Sequence, residues 1–176
     1  MKRSFIILFF VLLSTPCLVS FQGQDLNARS RMQALYVYNF ASRYIEWPSG
    51  YKDGNFIIGI LGETPLMKEI TTTTASKKVL NQSIEIKKFG STSEITKCNI
   101  LFIPHDKSES FQDVAGKLKN SSTLVITEKD GILKQGVSIN FVSVDGKLKF
   151  ELNKTAMQKQ ELKVASELER LAVQVM

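Results

Sequence analysis

The chain has 176 residues, a formal net charge of +6 and a single histidine. A chain of this length is expected to form one domain. Such a domain buries about two-thirds of its unfolded surface and therefore needs no metal or disulfide framework to fold. The lysines are scattered and lack interleaved aromatic residues, which argues against the stacking platform of a nucleic-acid-binding protein.

The first segment has the pattern of a secretory signal peptide. Two basic residues precede an unbroken apolar run from Phe5 to Leu13, and small residues follow it. The run is about half of the ~20 apolar residues that a membrane-spanning helix needs. We predict a signal peptide over residues 1–22, cleaved between about residues 20 and 23, and a single exported domain over residues 23–176. The two basic residues are the only charges removed, so the net charge falls from +6 to +4.

The mature chain begins with a predicted helix and a predicted strand. Apolar side chains from Ala28 to Trp47 recur at helical spacing. Pro48 ends this helix, because the residue before a proline is pushed out of the helical region. Phe56–Leu61 is apolar on both faces, which is typical of a central parallel strand covered on both sides.

The middle of the chain alternates between predicted helices and strands. Thr64 and Pro65 mark the start of a short helix, as a capping hydroxyl followed by a first-turn proline. We expect this helix to end near Thr71–Thr74, which is β-branched and predicted to be a loop. The next elements are an edge or half-covered strand over Ser83–Lys87, a buried strand over Asn99–Ile103, a helix over Phe111–Leu118 and a strand over Thr123–Thr127. This alternation favours a mostly parallel sheet.

The C-terminal part predicts a hairpin and a closing helix. Val137–Val144 and Lys147–Leu152 flank Asp145-Gly146, a strong two-residue turn signal. Asn153 is placed to cap a following helix. The apolar stripe of that amphipathic helix would be Leu162, Ala165, Leu168, Ala172 and Val175. The predicted architecture is a three-layer α/β domain with a mostly parallel sheet and a C-terminal antiparallel hairpin at one edge.

The sequence offers no recognisable catalytic, metal or cofactor site. His105 follows a buried strand, where α/β domains place ligand-contacting loops. One histidine without a second ligand cannot build a zinc site, so we interpret it as an exposed loop residue. There is no nucleophile-elbow motif and no phosphate-binding glycine loop. Beyond residue 22, Cys98 is the one cysteine, so an intramolecular disulfide is not expected.

The only tryptophan allows two interpretations. Trp47 stands beside Pro48 at the end of the first predicted helix. It either closes the edge of the core or lines a surface pocket or partner patch, where large aromatic side chains concentrate binding energy.

Several segments together resemble the YfiR family, in the same order and spacing. Up to residue 103, the segments are residues 34–40 with 46–48, residues 56–62 and residues 98–103. After residue 103, they are residues 138–141, 145–147 and 150–153, and residues 162–166 with 168 and 170–172. The resemblance spans Arg31 to Val175. It implies a small, non-catalytic periplasmic protein that binds the periplasmic domain of an inner-membrane diguanylate cyclase and holds it inactive. Loss of that restraint would raise cyclic-di-GMP and promote biofilm growth.

The resemblance also implies a homodimer and, in some members, redox-sensitive disulfides. Cys98 lies on a family cysteine position, but its partner cysteines are missing, which puts redox control in doubt here. The predicted partner-binding or ligand-binding patch consists of Trp47, Pro48, Glu151, Lys163, Ser166 and Arg170. Its alternative interpretation is structural, with Glu151 and Arg170 paired across hairpin and helix.

Two other classes of function remain open. The first is a small-ligand-binding accessory module of a sensor kinase or a transporter. The second is an unrecognised hydrolase, which the missing nucleophile–base constellation disfavours.

Overall fold

The computed structural model describes residues 21–176, so the predicted signal peptide lies outside the described residues except for its last two positions. The helices are α1 (Phe21–Asn39, continued by a π-helical segment over Phe40–Tyr44), α2 (Leu66–Thr74), α3 (Phe111–Lys117), α4 (Lys154–Lys159) and α5 (Ser166–Leu171). The strands are β1 (Ile45–Glu46), β2 (Phe56–Leu61), β3 (Lys78–Val79), β4 (Gln82–Phe89), β5 (Ile100–Ile103), β6 (Leu124–Thr127), β7 (Ile139–Val144), β8 (Lys147–Leu152), β9 (Lys163–Val164) and β10 (Gln174–Val175).

Eight strands form one sheet in the order β10-β8-β7-β6-β5-β2-β4-β3. The five inner strands from β4 to β7 are parallel, while β3 pairs antiparallel with β4 and β8 pairs antiparallel with β7. The central strands β5 and β6 are buried along their whole length. Their side chains are apolar on both faces because both faces are covered. The mostly parallel sheet is therefore confirmed.

Two apolar clusters cover the two faces of the sheet. One contains Phe40 and Ile70, from the α1 and α2 side, together with Phe102, Phe141 and Leu152 from the strands. The other is built around the apolar stripe of α3 and includes Leu101 and Val125. Helices on both faces of a sheet make three layers, as predicted.

The hairpin is confirmed, although it does not occupy the very edge of the sheet. β7 and β8 pair in register from Ile139↔Leu152 to Val144↔Lys147 around the predicted two-residue turn. β10 pairs parallel with β8 on the outer side and forms the edge. Asn153 caps α4 as predicted, because its side-chain oxygen accepts a hydrogen bond from the Ala156 amide at 2.8 Å.

The predicted closing helix is wrong. Residues 154–176 form two six-residue helices and two two-residue strands instead. Leu162 and Leu168 are buried, as the helical spacing required, but strand pairing competes with helix formation here. Val164 pairs with Ile45, and Gln174 pairs with Glu151. Tertiary backbone pairing thus overrides the local periodicity.

The first helix also ends earlier than predicted. The regular helix stops at Asn39, the π-helical segment follows, and Ile45 is already extended. The Ala165 amide donates to the Tyr44 carbonyl at 2.8 Å, and β1 pairs antiparallel with β9. Trp47 therefore follows a short strand and does not end a helix.

Two smaller predictions in the middle of the chain need correction. The threonine run Thr71–Thr74 is helical, and the hydroxyls of Thr71, Thr72 and Thr74 donate to carbonyls one turn earlier. The strand predicted over Ser83–Lys87 as an edge or half-covered strand is longer, from Gln82 to Phe89. It is half-covered, and β3 pairs on its outer side only at Gln82 and Ser83.

Candidate functional site

The six residues of the predicted patch do not form one continuous surface. Trp47 is buried and Pro48 is half-buried. Lys163 on β9 and the two α5 residues, Ser166 and Arg170, are exposed. These five positions follow β1 or belong to the segment from β9 to α5, whereas Glu151 lies on β8.

The side chain of Glu151 faces away from the others. Its neighbours Phe150 and Leu152 belong to the cluster under α1, and alternate residues of a strand point to opposite faces. The Glu151 carboxylate accepts a hydrogen bond from the Asn140 amide at 2.9 Å. The guanidinium of Arg170 lies 3.5 Å from Glu167. The alternative interpretation that paired Glu151 with Arg170 is therefore wrong.

Trp47 closes the edge of the core at the amino end of the parallel strands. It is 5% exposed, and its ring meets Phe56 edge to face at a centroid distance of 4.9 Å. The indole N–H donates to the carbonyl of Asn99, 3.1 Å away. Buried tryptophans need such a partner for their N–H group. Of the two interpretations of Trp47, the core-edge interpretation describes its packing.

Trp47 also lies at the base of a surface groove of about 520 Å³. Residues 41–47 form one wall of this groove and residues 163–165 extend it along β9. The opposite wall is the turn between β3 and β4, with Val79, Leu80 and Gln82; Lys52 and Phe56 complete the lining. We call this cavity the β1–β9 groove. Both Trp47 and Lys163 of the predicted patch line it.

The rim of the β1–β9 groove carries more positive than negative charge. Arg43, Lys52 and Lys163 line it, with Glu46 as the one carboxylate. Glu46 lies 3.1 Å from Lys52 and 3.8 Å from Lys163. The hydrogen bond from Lys52 and the nearby charge of Lys163 lower the pKa of Glu46, so two lysines share one ionised carboxylate. Arg43 forms no ion pair with any residue between 21 and 176.

Leu80, in the groove wall, was missed by the sequence analysis. It is 71% exposed and has a backbone φ of 52°, in the connection between β3 and β4. The sequence does contain a signal, because a bulky apolar residue stands next to Asn81, a typical turn residue. The two-residue strand β3 was too short to reveal that turn.

His105 does not form a metal site or a catalytic group of side chains with other residues in the described part of the chain. His105 is exposed, and its ring nitrogen Nδ1 lies 3.2 Å from the Glu128 carbonyl oxygen. Among residues 21–176 there is no group of three metal-binding side chains.

Cys98 is buried just before β5, and its main-chain carbonyl accepts a hydrogen bond from the Thr123 hydroxyl at 2.7 Å. Burial raises the pKa of the Cys98 thiol to about 12, so the reactive thiolate is absent at neutral pH. We expect iodoacetamide at pH 8 to leave Cys98 unmodified in the folded protein over residues 23–176 and to alkylate it in urea. We also expect the melting temperature to be the same with and without dithiothreitol. Rapid labelling of the folded protein, or a reductant-dependent melting temperature, would contradict this account of Cys98.

The fold is a three-layer α/β domain with a surface groove that carries a charged rim. A family model described as YfiR/HmsC-like matches residues 30–173. The chain belongs to this YfiR/HmsC-like family, as the resemblance predicted. The family is regulatory, and membership suggests a periplasmic regulator of cyclic-di-GMP signalling. No curated protein matches the chain significantly. Within residues 21–176, no helix has the length and apolarity that a bilayer span requires.

Proposed function

We propose that the protein is an exported, non-catalytic regulator that binds the periplasmic domain of a membrane signalling protein and restrains it. We propose a diguanylate cyclase as that partner, so that the protein controls cyclic-di-GMP. The family match over residues 30–173 carries this proposal. The β1–β9 groove supports it, because an amphipathic cleft with a charged rim is a usual feature of protein-binding surfaces.

The proposed mechanism is thermodynamic and needs no bond to be made or broken. A binder that prefers one state of a receptor shifts the receptor's equilibrium only by the difference between its affinities for the two states. Moving an equilibrium from mostly active to mostly inactive takes a preference of about 10⁴-fold. Locking the outer domain of the cyclase in its inactive arrangement is sufficient for repression.

We propose that the exposed members of the predicted patch make the contacts. Lys163, Ser166 and Arg170 reach solvent along β9 and α5, beside the groove. Trp47 and Pro48 support them from below, while Glu151 belongs to a separate part of the surface. Export through the signal peptide over residues 1–22, and a homodimer, are parts of the same proposal.

The proposal is tested in cells that lack the gene. We expect deletion to raise cyclic-di-GMP and biofilm formation, and wild-type protein to restore both. The double variant Lys163→Glu/Arg170→Glu should fold but fail to restore them, because it reverses two exposed charges of the contact surface. Lys147→Glu, at the distant tip of the β7–β8 hairpin, is the matched control and should restore both. Unchanged cyclic-di-GMP after deletion would count against the repressor function.

The volume of the groove supports a second candidate. A cleft of about 520 Å³ is within the usual size range of small-molecule sites, ~300–1,000 Å³. An accessory module that presents a small ligand to a sensor kinase or a transporter would use such a cleft. Deletion would then leave cyclic-di-GMP unchanged while altering the response to that ligand.

A further inference from the structure

Leu80 conflicts with the requirements of the turn that holds it. A φ of 52° is unfavourable for a bulky side chain, since its Cβ approaches the backbone too closely. The two-residue turn between the antiparallel strands β7 and β8 has residues suited to such dihedrals. Asp145 there also has a φ of 52°, and Gly146 has a φ of 70°. Turn formation alone therefore does not account for leucine at position 80.

Burial does not account for leucine at position 80 either. With 71% of its surface in solvent, it is the most exposed of the large apolar residues in the described chain. Trp47 and Phe56 also line the β1–β9 groove, and both are buried, which makes the floor apolar; buried Val79 adjoins Leu80. Leu80 thus extends an apolar floor to the rim of an open groove.

The charge of the rim indicates which chemistry the occupant carries. Three cations and one carboxylate line the groove, and that carboxylate is already shared by Lys52 and Lys163. Lys78 on β3, next to the turn, is exposed and forms no ion pair with any residue of the described range. An occupant with carboxylates would neutralise this surplus, and complementary potentials favour both encounter and specificity.

We propose that the β1–β9 groove binds an acidic protein segment carrying apolar side chains, with Leu80 as the apolar anchor at its rim. The apolar side chains of the segment lie over Trp47 and Phe56, and its carboxylates face Arg43, Lys52 and Lys163. The inference rests on the proposed function only for the identity of the protein that carries the segment. A protein segment fits better than an anionic membrane, because Trp47 and Phe56 are at most 5% exposed and a flat bilayer surface does not reach them.

The test uses the protein over residues 23–176 and a fluorescein-labelled peptide in which Asp alternates with Leu and Phe. We expect saturable binding by fluorescence anisotropy that weakens with salt, as interactions between exposed charges do. A peptide with Lys in place of Asp should bind at least tenfold more weakly.

Leu80→Asn is the decisive variant, because asparagine tolerates positive φ and removes the apolar anchor. We expect an equal or higher melting temperature and at least tenfold weaker peptide binding. Leu26→Asn is the matched control. It changes another exposed leucine, 58% in solvent, near the start of α1 and away from the groove, and it should leave binding unchanged.

The groove proposal would be overturned if the peptide did not bind, or if Leu80→Asn bound it with wild-type affinity. It would also be overturned if the protein did not bind the peptide but co-sedimented with phosphatidylglycerol vesicles in a way that required Leu80. The outer domain of a co-encoded membrane cyclase separates this proposal from the proposed function. If that domain binds wild type and Leu80→Asn equally, only the groove proposal fails. If the peptide binds and the cyclase domain does not, the groove proposal stands and the proposed function fails.

Discussion

Replacement of Trp47 by alanine is expected to lower the free energy of unfolding by about 3–5 kcal/mol, the usual range for a buried tryptophan. The indole is 5% exposed and packs edge to face on Phe56. Its N–H group bonds the Asn99 carbonyl, which also accepts the Leu124 amide at 2.8 Å. The carbonyl thus keeps a partner in the variant, and the cost comes mainly from the lost packing. Urea unfolding followed by circular dichroism measures this change.

Trp47→Phe is the matched control for that experiment. It keeps an aromatic ring over Phe56 and loses the N–H bond, so we expect a cost of about 1–2 kcal/mol. A loss below 1 kcal/mol for Trp47→Ala, accompanied by loss of partner binding, would show that Trp47 is a contact anchor and not a core residue. Because the alanine variant is expected to be unstable, binding is better tested at Lys163 and Leu80.

Replacement of Phe40 by alanine should cost a similar amount, about 3–5 kcal/mol. Phe40 is 1% exposed and lies 5.1 Å from the ring of Phe150 and 6.2 Å from that of Phe141. It therefore holds the end of α1 on the β7–β8 hairpin. Each aromatic pair adds about 0.5–1.5 kcal/mol beyond the burial of its area. For a domain of this size, the loss lowers the melting temperature by roughly 2–4 °C per kcal/mol.

Tyr38→Ala is the control for Phe40→Ala on the same helix. Tyr38 is only half-buried and has the Lys77 ammonium 4.4 Å above its ring. We expect it to cost about 1 kcal/mol, because an exposed cation–π contact contributes about 0.5–1 kcal/mol. Equal melting temperatures for the two variants would mean that α1 does not rest on the hairpin as described.

The parts of the fold that follow from local signals were predictable from the sequence. β2, β5 and β6 are continuous apolar runs, and such runs are central strands whatever their neighbours. The turn at Asp145-Gly146 fixes the hairpin, because few other dipeptides adopt two positive φ angles. The cap at Asn153 follows in the same way from its own side chain.

The segments that depend on distant pairing were not predictable. β1 and β9 have two residues each, too short for a strand period, and each exists because the other lies beside it. Leu162 and Leu168 satisfy a helical spacing and are both buried, yet Leu162 lies in the connection before β9 and Leu168 lies in α5.

The candidate site was only partly predictable for the same reason. Trp47 and Lys163 both belonged to the predicted patch, and they line one groove because β1 pairs with β9. Leu80 enters that groove through the β3–β4 connection, whose two-residue strand leaves no pattern in the sequence. The positive φ of Leu80, which singles it out, becomes visible only in the folded backbone.

Calorimetric titration of the protein over residues 23–176 with the outer domain of a membrane diguanylate cyclase from the same organism tests the central claim most directly. We predict saturable binding, weakened roughly thirtyfold, or about 2 kcal/mol, by Lys163→Glu/Arg170→Glu and unchanged by Lys147→Glu. Absence of binding by folded wild-type protein to every such domain of the organism would contradict the claim that this protein restrains a membrane cyclase.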